Sequence, residues 1–389
     1  MQATAIRCPD VDFAADPLPD LHEVLAALRK QEPVSRIRFA GQPIWLVNDH
    51  ETLSRYVGDD EILSAPDAYV DLFTRTMGRG LPILRGDAHR RNRGLISRVF
   101  FPGRMREYAE TLFAGEARAL ADTLSGRARV DLVVAFTRAF TFRNIARLLG
   151  LPLEDVARLQ DWADRIMHVF VDPGPAESAG TEIGEYLLPI IHERRRSPCD
   201  DVISLLTQVE REGERLDDED ILGFCRNLFP AAIDTSTNTL GSLIAHTLPD
   251  RALWRGLAHD QDLREAAIQE LLRFEPPLVM IPRRATRDIE IGGQPIRAGD
   301  DVRLCIAGAH DDEKVYDAPR SFRLDRKQPN FAFGHGEHFC LGTQMARRVV
   351  AKGVEVLASR FPEMRLCEDA PVEILGGVLR GPRSLHVRL

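Results

Sequence analysis

The chain has no apolar run approaching the roughly 18–20 residues that cross a bilayer. Its opening stretch, MQATAIRCPDVDFAADPLPD, contains no signal-peptide core. These two absences predict a cytoplasmic protein with no membrane partner. The six cysteines (Cys8, Cys199, Cys225, Cys305, Cys340 and Cys367) are scattered and form no C-x-x-C or C-x-x-C-H pattern. Neither a disulfide framework nor covalent haem attachment is therefore indicated. Positive charge is also in deficit: the net charge of −8 argues against general affinity for nucleic acid. No internal repeat, low-complexity tract, flavin motif or iron–sulfur motif is present. What remains is a 389-residue chain, 44% hydrophobic and 28% charged, with the composition of a soluble globular protein and ample length for a large core.

One stretch stands out against this ordinary background. Asn330 to Gly342 reads Asn-Phe-Ala-Phe-Gly-His-Gly-Glu-His-Phe-Cys-Leu-Gly, after which a helical pattern begins at Thr343. Three glycines let backbone pass close to something large and flat. Cys340 sits just before the helix, where amide N–H groups and the helix dipole favour a thiolate. A thiolate so placed, among Phe331, Phe333 and Phe339, suits an axial ligand to haem iron. Two other readings stand beside it: a buried cysteine in a turn, and a zinc site from His335, His338 and Cys340 that lacks a compact fourth ligand.

The remainder reads as mostly helix. Helical spacing covers Leu18–Lys30, Asp49–Val57 (with Asp49 as cap), Thr111–Leu124, Asp131–Leu149, Leu153–Phe170, Ala176–Arg196 and Asp262–Phe274. Asp172-Pro-Gly-Pro reads as a turn. Val34–Arg38 and Pro43–Asn48 alternate as strands about a turn at Gly41. Arg283–Ile291 and Gly299–Ile306 read as strands around Gly292-Gly293, and Glu373–Leu375 with Ser384–Arg388 as a last pair. Ala65–Gly86 is irregular: either a surface loop or, given Val70, Leu72, Phe73 and Met77, a lid over an apolar pocket.

Four further patterns carry chemistry. His89 and Arg93 are four apart and share a helix face. Asp217 and Pro249 frame about thirty residues that contain Phe229-Pro-Ala-Ala-Ile-Asp-Thr-Ser-Thr-Asn238. There a proline frees backbone carbonyls that hydroxyls can bond, and small residues leave a groove; a plain polar face is the alternative. Glu270 and Arg273 can pair at i,i+3. Arg283 lies in a Pro-Arg-Arg-Ala strand.

Phe333 to Gly342 resembles, across all ten residues, the haem-ligand loop of the cytochrome P450 family. Gly86-x-x-His89-x-x-x-Arg93 resembles that family's propionate-binding helix, and Ala231-Ala-Ile-Asp234-Thr235 its oxygen-activating acid–alcohol motif, with Ala232 where glycine is commoner. Glu270-x-x-Arg273 is similar to its buried Glu-x-x-Arg pair. The usual third partner is displaced, since Pro319-Arg320-Ser-Phe replaces Pro-x-Arg-Phe; Arg320 or Arg323 are the substitutes in reach.

The resemblance implies one mainly α domain over residues 1–389, with β-rich portions near 34–48, 283–306 and 373–388. It implies haem b on Cys340, with Phe333, His338 and Gly342 in the loop, His89, Arg93, Arg283 and His338 meeting the propionates, Asp234 relaying protons from solvent and Thr235 hydrogen-bonding the iron-bound oxygen. It further implies a monooxygenase that takes O2 and electrons from a ferredoxin-type donor and its reductase, acts on a small hydrophobic substrate, and works as a monomer. A peroxide-driven peroxygenase or a non-catalytic haem sensor are the rival readings; an intact acid–alcohol pair favours neither. Expected pocket walls are Val70, Phe73, Met77, Leu228 and Ala231, followed by Val279, Met280 and Val378. Arg104, Arg106, Arg347, Arg348 and Lys352 form either a docking face for an acidic ferredoxin or a solvated surface.

Overall fold

The structure is a computed structural model that describes residues 11–167, 169 and 172–389. Cys8 and the end of the expected 153–170 helix at Phe170 lie outside the described residues, as does the side chain of Leu72. The chain divides into two compact units: residues 1–68, 266–340 and 373–383 form the first, and 69–265, 341–372 and 384–389 the second.

The first unit is built on a five-stranded sheet in the order Val34–Phe39, Gln42–Val47, Asp301–Cys305, Met280–Ala285, Leu63–Ser64. Its hairpin closes as the sequence implied. Phe39 pairs with Gln42, so Ala40 and Gly41 form a two-residue turn with φ of 49° and 76°, the doubly left-handed turn that matches strand twist. The carboxylate of Asp12 takes the amides of Ala40 and Gly41 at 2.9 and 2.6 Å, which fixes the turn further. Val34, Trp45, Val47, Leu63, Val302 and Leu304 form the core beneath.

Two strand assignments need correction. Gly292-Gly293 joins only Ile289–Ile291 to Gln294–Ile296, and the longer strands are Met280–Ala285 and Asp301–Cys305. The last pair is not a pair. Ile374–Leu375 pairs with Gly381–Pro382, while His386–Arg388 joins Arg365–Leu366 and Arg129–Asp131 in a sheet of the second unit. Two-residue strands carry too little alternation to be read, so their pairing follows from long-range packing.

The second unit is helical. Its axis is Asp218–Thr247, thirty residues long, capped by Asp217 in a reciprocal box with Asp220. Buried residues lie on every side of it, the pattern of a helix enclosed by others. Against it pack Pro173–Arg196, Ala139–Leu148, Val156–Met167 and Thr343–Arg360. At Gly353 a Cβ would meet Leu240 at 2.8 Å, so glycine there sets the helix spacing.

Two stretches expected to be irregular are helical. Ala65–Thr76 is a helix that starts in the first unit and continues in the second, and Pro173 opens the helix ending at Arg196. In both, proline occupies the first turn, where its missing N–H has no intrahelical partner to lose. Tyr69 and Phe73, one turn apart, hold their rings 4.6 Å apart.

Candidate active site

In the first unit the cysteine loop is held by its own backbone. Gly334 N–H donates to the Phe331 carbonyl at 2.8 Å, Phe339 N–H to Gly336 at 3.1 Å, and Cys340 N–H to Phe333 at 2.9 Å. Gly334 and Gly336 have φ of 69° and 76°, a conformation costly for any residue with a Cβ. Gly336 also packs on Gly58, where an added Cβ would stand 2.9 Å from the Gly58 Cα. The outcome is a rigid, curled loop that presents Cys340 and Phe339 outward, Phe339 being 40% exposed. The helix Thr343–Arg360 follows, with Gly342 at its cap.

The other cysteines make a useful contrast. Cys225 and Cys305 are fully buried, and desolvation pushes both thiols up to about 12. Such thiols are inert at neutral pH. Among the described residues only Cys340 combines exposure with a glycine-built loop; Cys199, also exposed, lies in a polar connection. The three candidate zinc ligands do not converge, since no cluster of three His, Cys, Asp or Glu side chains suited to a metal ion occurs among the described residues. His338 instead points its Nε2 at Asp60, 3.4 Å away.

Behind the loop lies the ion pair. Arg273 donates to both oxygens of Glu270, at 2.8 and 3.0 Å, and both side chains are 3% exposed. The third partner is neither side chain anticipated. Arg326 reaches Glu270 at 3.3 Å, while Arg323 supplies only its backbone N–H at 3.0 Å and turns its guanidinium to Asp317 and Asp325. Arg320 goes to Asp311 and the Phe274 carbonyl. The side chain that arrives depends on how the 317–328 loop folds over Glu270, which the spacing of the motif does not encode.

No motif or spacing in the sequence singles out His310. It is fully buried, and burial followed by the charge of Arg273 holds its pKa down to about 3. The ring is therefore neutral, and its tautomer follows from its neighbours. Phe331 N–H can only donate, and it lies 2.8 Å from Nε2, so Nε2 accepts; Nδ1–H then donates to the Arg273 carbonyl at 3.1 Å. Glu270, Arg273 and His310 thus form one buried chain that ends on the backbone of the cysteine loop.

Arg283 lies in the strand Met280–Ala285, 4% exposed, and donates to the carbonyls of Pro282 and Val57, each at 2.9 Å. Arg284 turns instead to Asp301. Val279 and Met280 are buried, and Val279 N–H bonds the carbonyl of half-buried Val378 at 2.8 Å, so these expected wall residues are neighbours.

In the second unit, the long helix carries Asp234 and Thr235, both half-buried. The Thr235 hydroxyl donates to the Ala231 carbonyl at 2.7 Å, and the Thr239 hydroxyl to the Thr235 carbonyl at 2.7 Å. Ser236 and Thr237 are buried, and Thr237 is engaged by Thr141 at 2.7 Å. Of the hydroxyl run, Thr235 is thus the one left accessible beside Asp234. His89 and Arg93 sit on the helix Gly86–Ser97, which Gly86 opens with φ of 52°. His89 is buried and Arg93 half-buried. Asn92 donates to Asp220 at 2.7 Å and so pins this helix to the head of the long one. Met77 is buried and accepts from Asn227 at 3.1 Å, beside Leu228; Ala231 is exposed, Phe73 half-buried and Val70 38% exposed.

The residues present fit a haem held by thiolate: one outward sulfur on a glycine loop, and cationic side chains of the kind two carboxylates require.

Comparison with known proteins agrees. The model of the cytochrome P450 family matches residues 260–383. The chain is 30% identical to mycinamicin IV hydroxylase/epoxidase of Micromonospora griseorubida, over 96% of this chain and 98% of that protein. It is also 30% identical to the cytochrome P450 monooxygenase PikC of Streptomyces venezuelae, over 97% and 92%. Among solved structures, the bacillaene polyketide synthase cytochrome P450 PksS of Bacillus subtilis 168 aligns with a TM-score of 0.86 at 27% identity, covering 95% of this chain and 97% of that one.

Proposed function

Since the chain belongs to the cytochrome P450 family, we propose that it activates O2 with two externally supplied electrons to hydroxylate a small or medium hydrophobic organic substrate. Its fold is that of the cytochromes P450, mainly α with a small β region, and its cofactor is haem b. Residues 1–389 are read as one catalytic domain.

Bound haem supplies an iron at which O2 is reduced, and a thiolate ligand favours O–O cleavage. Cys340 is the proposed ligand. Its loop turns the sulfur outward, and the backbone bonds from Gly334 to Phe331, Phe339 to Gly336 and Cys340 to Phe333 hold it there. His89, Arg93, Arg283 and His338 are the proposed partners of the two propionates, and Phe333 and Gly342 flank the ligand. Asp234 is the proposed proton carrier from solvent, with its carboxylate half-buried. Thr235 is the proposed hydrogen-bonding partner beside it: its O–H is donated to the Ala231 carbonyl, which holds the hydroxyl in place and leaves the oxygen lone pairs to accept from a donor.

Electrons must come from a redox partner. We assign a ferredoxin-type donor and its reductase, docking on Arg104, Arg106, Arg347 and Arg348. Lys352 contributes less, being held by Glu110 and Glu355 at 2.8 and 3.2 Å. Reversal of charge at Arg347 and Arg348 is expected to slow the first electron transfer at low salt; unchanged rates would remove this face from the proposal. Among the described residues no helix is long and apolar enough to cross a membrane, and a cytoplasmic monomer is the reading we adopt.

The exposed thiol of Cys340 on its glycine-built, internally bonded loop carries the assignment. Its test is the absorption spectrum of the reduced protein under carbon monoxide. A strongly red-shifted Soret band, lost in Cys340→Ala, is expected. Absence of any Soret band after haem reconstitution would overturn the proposal.

A further inference from the structure

The substrate class has a pointer in the second unit, at an arginine that the proposed chemistry does not use. Arg226 stands on the helix Asp218–Thr247, two turns before Asp234, and is half-buried. No ion pair or hydrogen bond engages it among the described residues, and its Nε is fully buried without an acceptor. Burial holds its pKa below the ordinary arginine value, with only Glu219, seven residues away, working in the other direction. Other partly buried arginines of this unit are provided for: Arg194 has Asp201, Arg165 has Glu182, and Arg91 has Asp220 and Glu214.

The space around Arg226 is built by glycine. At Gly184, on the helix Pro173–Arg196, a Cβ would lie 1.8 Å from Nη2. At Gly78 one would lie 3.1 Å from Nη1. Any larger residue at Gly184 would displace the guanidinium, so the glycine and the arginine go together. The segment before Gly80 is fixed on both sides of it. Asn227 bonds Met77 at 3.1 Å, and at Gly223 an added Cβ would meet the backbone of Arg79 at 2.6 Å. An ordered, half-buried cation without an anion is unfavourable to keep unless an anion arrives.

We propose that Arg226 receives a carboxylate borne by the substrate, so that the molecule oxidised is an apolar body with an anionic end. The inference rests on the monooxygenase reading above. A planar guanidinium matches a carboxylate with two parallel hydrogen bonds. Exposed Ala231 and half-buried Asp234 lie further along the same helix. Asp234 is eight residues on, which at 1.5 Å per residue is about 12 Å. The substrate is therefore gripped at its acid and oxidised roughly that far from it.

The test uses the haem-loaded full chain and two probes of equal length, dodecanoate and dodecanol, followed by calorimetry and by the spin-state shift. Wild type is expected to bind dodecanoate about tenfold or more tightly than dodecanol. Arg226→Gln is expected to bind the two alike, and Arg226→Lys to retain part of the preference. Dodecanoate should raise the melting temperature of wild type and not that of Arg226→Gln, whose own carbon monoxide band certifies its fold. Equal affinity in wild type, failure of dodecanoate to bind it, or a preference that survives Arg226→Gln would each overturn the assignment. A wild type that lacks the thiolate band would overturn the monooxygenase reading instead, so the two failures are distinguishable.

Discussion

Arg273 and Arg226 are each carried on a helix and withdrawn from water, yet they are treated in opposite ways. Arg273 is held by three hydrogen bonds, two to the oxygens of Glu270 and one to the His310 carbonyl, and Arg326 meets the same carboxylate. Around Arg226 glycines make room for the guanidinium and no carboxylate pairs with it among the described residues. A buried charge satisfied within its own unit is framework, because losing either member strands the other. A charge kept half-buried and unsatisfied is better placed to bind something the chain does not contain. The contrast separates residues that hold the cysteine loop from a residue that selects what is oxidised.

Breaking the framework should have the largest effect. Glu270→Ala leaves Arg273 and Arg326 together without their carboxylate, and is expected to cost about 3–5 kcal/mol in urea unfolding. A loss below about 1 kcal/mol would place the pair with ordinary surface decoration. The next effect is pH-dependent and lies in the same unit. His22, 12% exposed, sits between Asp311 at 2.5 Å and Glu275 at 2.9 Å. Burial pushes its pKa down, but the hydrogen bonds to Asp311 and Glu275 outweigh burial and hold it above 6.5. Its contribution is thus complete below about pH 6.5, the unfolded value, and is lost as pH rises through the higher folded value. Unfolding free energy should fall across that window in wild type, and the slope should vanish in His22→Gln; identical slopes would contradict it. Glu275 behaves in the opposite sense. Despite burial, His22 and then Arg380 and Arg320 hold it at about 2, so its contribution is lost only as pH falls below about 4.5. The smallest change is expected at Arg226. In the absence of ligand, Arg226→Gln should leave unfolding free energy unchanged or slightly raised, since no partner is stranded; a loss comparable to that of Glu270→Ala would erase the contrast.

Short-range signals are legible where one residue type answers one local need. Asp217 caps the long helix, Asp49 caps the helix His50–Tyr56 through Thr52 N–H, and Gly41 closes its hairpin. The helix 65–76 was obscured because Pro66 and the nearby glycines carry the same weight in a loop as in a first turn. The strands Leu63–Ser64 and Arg129–Asp131 are too short to alternate and exist only because distant partners offer them hydrogen bonds.

The sequence by itself determined the cysteine loop, the spacing of His89 with Arg93 and of Asp234 with Thr235, and hence the family and its cofactor. Each of these is a matter of residues within a few positions of one another, where covalent geometry sets the distances. Tertiary structure alone decided that Arg326, rather than Arg320 or the Arg323 side chain, reaches Glu270. It alone placed His310 under Phe331 and left Arg226 between two glycines with no ion-pair partner among the described residues. Such pairings depend on separations of about 3 Å between segments far apart in the chain, and only the packing of the folded core fixes distances that fine.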